Sequence, residues 1–241
     1  MREITSMNAW RRALAIGWRS ACVNALPIAV LWGIAVALVL SYYLVPGVAA
    51  TLEPIRMWQE RNGWRAVVVG RIFFSGFVPG VFLLLVPKIR PKHPWATIVA
   101  FVAWGCALGV CCDAFFRVQS VWFGNGPEWG TLVAKTLVDQ FLWTVVFLVP
   151  LNTVFYYWLG CDFSLRRMIA EWPSDFVREL MLPNLVNNWI VGIPVIFATY
   201  AFPLDLQIHV NGLVGAVCLL LFTQIGRLSR NGSSQKNSIS S

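Results

Sequence analysis

In the stretch KTLVDQ, Lys135 and Asp139 stand four residues apart and Gln140 follows at once, within one of the most apolar parts of the chain. On a helix this spacing sets ammonium and carboxylate in one row, with Thr136, Gln140 and Thr144 in the next. Arg71, Asp113, Gln207 and Asn211 sit in other apolar runs. A formal charge at the centre of a membrane helix costs about 2.5–3.5 kcal/mol, against about 0.3–0.6 returned by each Leu, Ile, Phe or Val. Such residues need partners, and three arrangements supply them. The charges can neutralise one another, with Arg71 clamped by Asp113 or Asp139, and so lock the helices. The polar rows can line a vestibule and replace part of a solute's hydration shell. KTLVDQ can also lie among the lipid headgroups, because Phe141 to Gly160 alone is long enough to span.

Reaction chemistry has less support. The chain has two His, His93 in a Pro-rich loop and His209 in an apolar run, which cannot by themselves build a His-rich metal site. No spacing supports a nucleophile and base made from Cys111-Cys112-Asp113 and His209. The six Cys (Cys22, Cys106, Cys111, Cys112, Cys161, Cys218) lie in or beside apolar runs, without zinc-site spacing or a disulfide framework, and read as small apolar residues. GNGPEWG (Gly124 to Gly130) lacks a P-loop's Lys-Ser/Thr and reads as a turn. No catalytic residue, metal or cofactor is assigned, and the expectation is a protein that is not an enzyme.

The elements that must carry these residues are membrane helices. The chain has 241 residues, 58% hydrophobic and 12% charged, more apolar surface than a soluble core of this size buries. Thirteen Trp and sixteen Phe, spread along its length, suit membrane interfaces and helix packing. A net charge of +8 does not imply nucleic acid, because the basic residues flank hydrophobic runs instead of gathering on one face. Roughly 20 apolar residues cross about 30 Å of hydrocarbon. Ala21–Val45, Ala66–Val86, Trp95–Phe116 and Val133–Trp158 qualify directly. Pro183, Pro194 and Pro203 then suggest a short, kinked fifth segment, Asn184–Phe202, and a sixth, Leu206–Ile225. Residues 1–20 form a basic anchor, 21–226 the bundle, and the Ser-rich stretch 227–241 a disordered tail.

With the N-terminus inside, inner segments hold Arg2, Arg11, Arg12, Arg19, Lys88, Arg90, Lys92, Arg166, Arg167, Arg178, Arg227, Arg230 and Lys236. Outer ones hold only Arg56, Arg61, Arg65 and Arg117, as the excess of cytoplasmic or matrix-side cations requires. In SLRRMIAEWPSDFVREL, Leu165, Met168, Ile169 and Trp172 recur at helical spacing opposite Arg166, Arg167 and Glu171, the pattern of an interfacial amphipathic helix. The expected fold is all-α: a polytopic transmembrane bundle of five to six helices with that interfacial helix. Because alternate spans run in opposite directions, Arg71, Asp113, Lys135, Asp139, Gln207 and Asn211 should all reach the outer half at one level. Gly105, Gly109 and Asp113 share a stripe along which a neighbouring helix can approach closely.

The second half, roughly residues 95–226, resembles the Mpv17/PMP22 family of small multi-pass organelle membrane proteins. KTLVDQ resembles the family's Lys-x-x-x-Asp-Gln at the start of a span, and NNWIVGIPVIFATYAFPLDLQIHVN resembles its C-terminal signature. The chain departs from the pattern at Gly192–Pro194, Thr199-Tyr200, Gln207 and Cys218, and in having GVCCDAFF on the preceding span. The resemblance implies a divergent, non-enzymatic member in a mitochondrial inner or peroxisomal membrane, with Lys135, Asp139 and Gln140 as the matched site and with poorly selective channel activity. Without it, a plasma or bacterial inner membrane is equally open. The expected function is a pore for small solutes or ions, alone or as a homo-oligomer, contacting membrane lipids and no nucleic acid. The alternative is a non-conducting structural or interaction protein whose polar residues lock the bundle. A secondary transporter is a weaker third option, because the chain has no internal repeat of the two-halves kind.

Overall fold

The computed structural model describes residues 11, 14, 15, 17–19, 22–86 and 90–217, and the regular structure among them is helical throughout. In chain order the helices are α1 (Ala25–Leu44), α2 (Val48–Asn62), α3 (Trp64–Leu85), α4 (Pro94–Phe123), α5 (Trp129–Gly160), α6 (Leu165–Ala170) and α7 (Val177–Tyr200). A last helix, α8, is described over 204–217. Five of these, α1, α3, α4, α5 and α7, are long and apolar enough to cross a membrane. The chain is therefore a multi-pass integral membrane protein. The basic anchor up to residue 10, the far end of the sixth expected segment and the polar tail lie outside the described residues.

Contacts between helices give the threading. Ile28, Leu31 and Ala35 of α1 share a buried cluster with Val191, Val195 and Ala198 of α7, and Trp32 reaches the Val191 carbonyl while Tyr43 reaches that of Ala201, so these two spans are parallel. The Tyr43 hydroxyl donates to the Ala201 carbonyl at 2.5 Å where both spans end. α3 and α4 are antiparallel and very close: a Cβ built on Gly105 would lie 2.4 Å from Ser75 Cβ, one on Gly76 2.2 Å from Val102, and one on Gly80 3.3 Å from Ile98. Small residues alternate across this seam, which lets the backbones approach without a hydrophobic driving force between lipid-immersed helices. α4 and α5 are antiparallel as well, with Trp104 stacked on Phe155 at 4.6 Å and Phe115 on Trp143 at 4.4 Å. On one face of the bundle, Lys92 and Arg167 both reach Asp162, at 3.7 and 3.0 Å. The Arg167 hydrogen bond, with Lys92 nearby, holds that carboxyl below the usual carboxylate range. This is the basic face, the one that the excess of cations is expected to place inside.

Prolines shape three of the five spans in one way. The π-helical stretches Ile72–Phe77, Asp139–Leu148 and Val177–Met181 each end two residues before a proline: Pro79, Pro150 and Pro183. Proline has no N–H to give, and its ring collides with the carbonyl four residues back. Widening the preceding turns from i+4 to i+5 bonding moves that carbonyl aside and keeps the helix continuous.

This relief corrects two expectations. The fifth segment is not short: α7 runs unbroken over 24 residues, from Val177 past Pro183 and Pro194 to Tyr200. The amphipathic helix is shorter than its pattern, with only Leu165–Ala170 helical before a break at 171–175 around Pro173, so that VREL falls at the start of α7. A proline disfavours helical geometry in the residue before it, and no wide turn relieves that at Trp172. A third element, α2, lies in the connection between the first two spans, where apolar patterning gives little sign of a helix.

The α3–α4 seam yields a stability test. Gly105→Ala forces a methyl group against Ser75 Cβ and should destabilise the bundle by about 1–3 kcal/mol. Gly33→Ala on α1, where a Cβ meets nothing within 4 Å, should be neutral or stabilising by up to about 1 kcal/mol. Thermal unfolding in detergent compares the two, and equal midpoints would refute the close seam.

Candidate functional site

Asp139 sits where α5 widens, and it is 3% exposed. One carboxylate oxygen accepts from Gln140 Nε2 at 2.8 Å and, weakly, from Thr144 Oγ1 at 3.5 Å. The other accepts from the Tyr200 hydroxyl at 2.8 Å, which itself accepts from Gln119 Nε2 at 2.7 Å. This chain of donors joins α4, α7 and α5, all of it buried. The wide turns leave the Gln140 carbonyl able to accept from the Trp189 indole at 2.8 Å, a second tie between α5 and α7. Phe116 packs edge-on against the Tyr200 ring. Nothing in the helical period of the sequence marks Tyr200 or Gln119: they fall at the outer ends of their spans, and their role depends on helix ends meeting in space.

The other expected site residues divide into groups. Lys135 is 1% exposed, and among the described residues its ammonium lies over the Tyr200 ring, 5.6 Å from the centroid, with no carboxylate within 4.0 Å. Asp113 pairs with Arg117 at 2.9 Å, and Arg117 with Asp205 at 3.2 Å. Gln207 is fully buried and donates to the Phe202 carbonyl at 2.9 Å, bracing the turn between α7 and α8. Arg71 donates to Asn211 Oδ1 at 2.8 Å. The clamp of Arg71 by Asp113 or Asp139 is thus not formed, because Arg117 takes Asp113 one turn further along α4 and Tyr200 takes Asp139.

The single level is corrected too. Arg71 lies across Gly109 of α4, whereas Asp139 reaches Gln119 through Tyr200. Those two points on α4 are about 15 Å apart at 1.5 Å per residue, so the groups are spread along the bundle.

Along that stretch runs a cavity of about 320 Å³, with Cys112 in its lining between the two points. Arg71, Asp139, Gln140 and Asn211 line it, whereas Asp113, Lys135 and Gln207 do not. Further in, Asn152, Tyr156 and Asn188 add polar groups among Phe101, Trp104 and Trp143. The lining residues of α5 are Asp139, Gln140, Trp143, Leu148, Asn152 and Tyr156, with a step of five from Trp143 to Leu148 across the wide turns, which a regular 3.6-residue period does not predict. Arg71 and Asp139 are the charged residues that line it among those described. Asp139 has donors on both oxygens, whereas Arg71 Nε is buried without a hydrogen-bond partner, as is Gln140 Oε1. The cavity therefore carries one cation with no carboxylate within 4.0 Å among the described residues, one carboxylate already engaged by donors, neutral amide groups and aromatic walls.

On the outer side, α2 folds back over the bundle. Gln59 is fully buried, with its Oε1 2.9 Å from His209 Nε2, and Trp58 lies beside the same ring. Arg56 holds Glu53 by two hydrogen bonds, at 2.9 and 2.6 Å, and keeps its carboxyl below the usual carboxylate range. His209 is thus engaged from outside by α2 and is not turned to Cys111 or Cys112.

No protein-family model, no curated protein and no solved structure matches this chain.

Tyr200→Phe leaves Asp139 and Gln119 each short of a partner in a buried setting, which should cost about 1–3 kcal/mol. Thermal unfolding of the purified protein measures it. In a double-mutant cycle with Asp139→Asn, additive effects would show that the two side chains are not coupled.

Proposed function

We propose that the protein is a passage for small solutes across its membrane, and that Arg71 biases the passage towards anions. One observation carries this reading: a central cavity, lined by polar groups from α3, α5, α7 and α8, holds a guanidinium with no carboxylate within 4.0 Å among the described residues. Arginine keeps its charge when buried, so the cavity offers a permanent positive centre to whatever enters. Three Asn and a Gln amide can replace water ligands, and aromatic walls accept the apolar part of an organic solute. The resemblance of residues 95–226 to the Mpv17/PMP22 family favours the same reading and, with it, an organelle membrane.

A second reading is a non-conducting bundle held by its polar groups. What favours it is the saturation of Asp139 and the enclosure of Lys135, both of which serve cohesion whether or not anything passes. The two readings assign different roles to different residues. In the passage, Arg71 selects, and Asp139 and Lys135 hold the walls.

Reconstituted in liposomes, the protein should release small organic anions faster than cations of similar size. Arg71→Gln should remove that preference while preserving release, and Asp139→Asn should chiefly lower the yield of folded protein. No release above that of empty liposomes would leave the structural reading, and an unchanged preference in Arg71→Gln would remove Arg71 from the path.

A further inference from the structure

A second, larger hollow of about 520 Å³ opens on the outside of the bundle between α4, α5 and α6, in the inner half. Ala100 and Ala103 form its floor on α4, Val154 and Trp158 line it from α5, and Leu165 and Met168 of α6 close its inner end. The two alanines are what make it a groove: small side chains on α4 stand beside large ones on α5. Its walls are almost wholly apolar, and it runs along the spans towards the basic face. Trp158 keeps its indole N–H buried without an acceptor among the described residues.

Charge marks the inner end. α6 turns Leu165 and Met168 to the groove and leaves Arg166 exposed beside them. Arg167 is tied to Asp162, and so is Lys92. Arg166 has no carboxylate within 4.0 Å among the described residues. The same short helix leaves Leu165 and Ile169 largely exposed, at 64% and 74%, as suits a segment lying among lipid headgroups. An apolar trough along the spans that ends beside a guanidinium with no carboxylate within 4.0 Å among the described residues suits a hydrocarbon chain with an anionic head.

We propose that this groove is a binding site for an anionic phospholipid of the inner leaflet, with one acyl chain on Ala100 and Ala103 and the phosphate at Arg166. The site does not depend on solute passage, because the central cavity lies on the other side of the Trp104 ring, which lines both spaces.

The full chain, purified in detergent, can be titrated with phosphatidylglycerol or phosphatidylcholine of identical chains and weighed intact by native mass spectrometry. Phosphatidylglycerol should be retained the more strongly. Arg166→Gln should weaken its retention about fivefold, the worth of one cation near an anionic head, and leave phosphatidylcholine unchanged. Arg166→Lys should restore it. Ala103→Trp, which fills the groove from an exposed position, should reduce retention of both lipids. Equal retention of the two lipids by the unsubstituted chain would overturn the proposal, and so would an Ala103→Trp variant that binds lipid normally. A dimer lost on Ala103→Trp with lipid retention unchanged would assign the groove to a second copy of the chain.

Discussion

A carboxylate inside an apolar bundle must find its hydrogen-bond donors within the protein, and Asp139 finds them on α5 and α7, with the Tyr200 donor itself held from α4 by Gln119. Much of the outer half follows from that need. Tyr200 must end α7 at the height of Asp139, so the turn after it is fixed by Gln207 on the Phe202 carbonyl. Gln119 must reach Tyr200 from α4, which therefore extends beyond the roughly 20 residues a crossing requires, to 30. Lys135, one turn away on α5, is left with the face of the Tyr200 ring, an attraction that suits a cation whose own carboxylate neighbour is already engaged. A buried network of this kind fixes a unique arrangement because each member left unsatisfied would be costly.

The cavity follows from helices that pack very closely on one side and less so on the other. Glycine and serine bring α3 against α4 until Arg71 has only Gly109 to lie on, and its guanidinium turns along the bundle to Asn211. Bulky rings between α4 and α5, Trp104 on Phe155 and Phe115 on Trp143, hold the opposite wall apart. The space between is lined by whatever the helices present there, and the wide turns of α5 decide which residues those are.

Much of this was legible in the sequence. Long apolar runs give the spans, and the Gly105–Gly109–Asp113 stripe foretells the close approach of α3. Arg71 with Asn211, and Asp139 with Gln140, could be named as residues that share one half of the bundle. What stayed hidden has physical causes. Tyr200 and Gln119 depend on where helix ends meet, which local pattern does not encode. Asn152 and Tyr156 escape a 3.6-residue template because the turns before Pro150 are wide. α2 escapes because it contains Pro54 and buries a Gln, Gln59, where a membrane helix would bury an apolar side chain. The amphipathic pattern around Trp172 continues through a proline that the backbone cannot follow as a helix.

The wide turns before Pro79, Pro150 and Pro183 also limit how the chain can vary in length. Each holds a surplus of backbone relative to a regular helix, so removing one residue from 139–148 would draw α5 back towards ordinary bonding. Ordinary turns advance further per residue than wide ones, so everything downstream would also turn about the helix axis. Asn152 and Tyr156 would swing from the central hollow to a neighbouring helix or the acyl chains, and Pro150 would again press on the carbonyl behind it. Side chains in that stretch can be exchanged with local effects, but its residue count is tied to the direction in which half of the span looks.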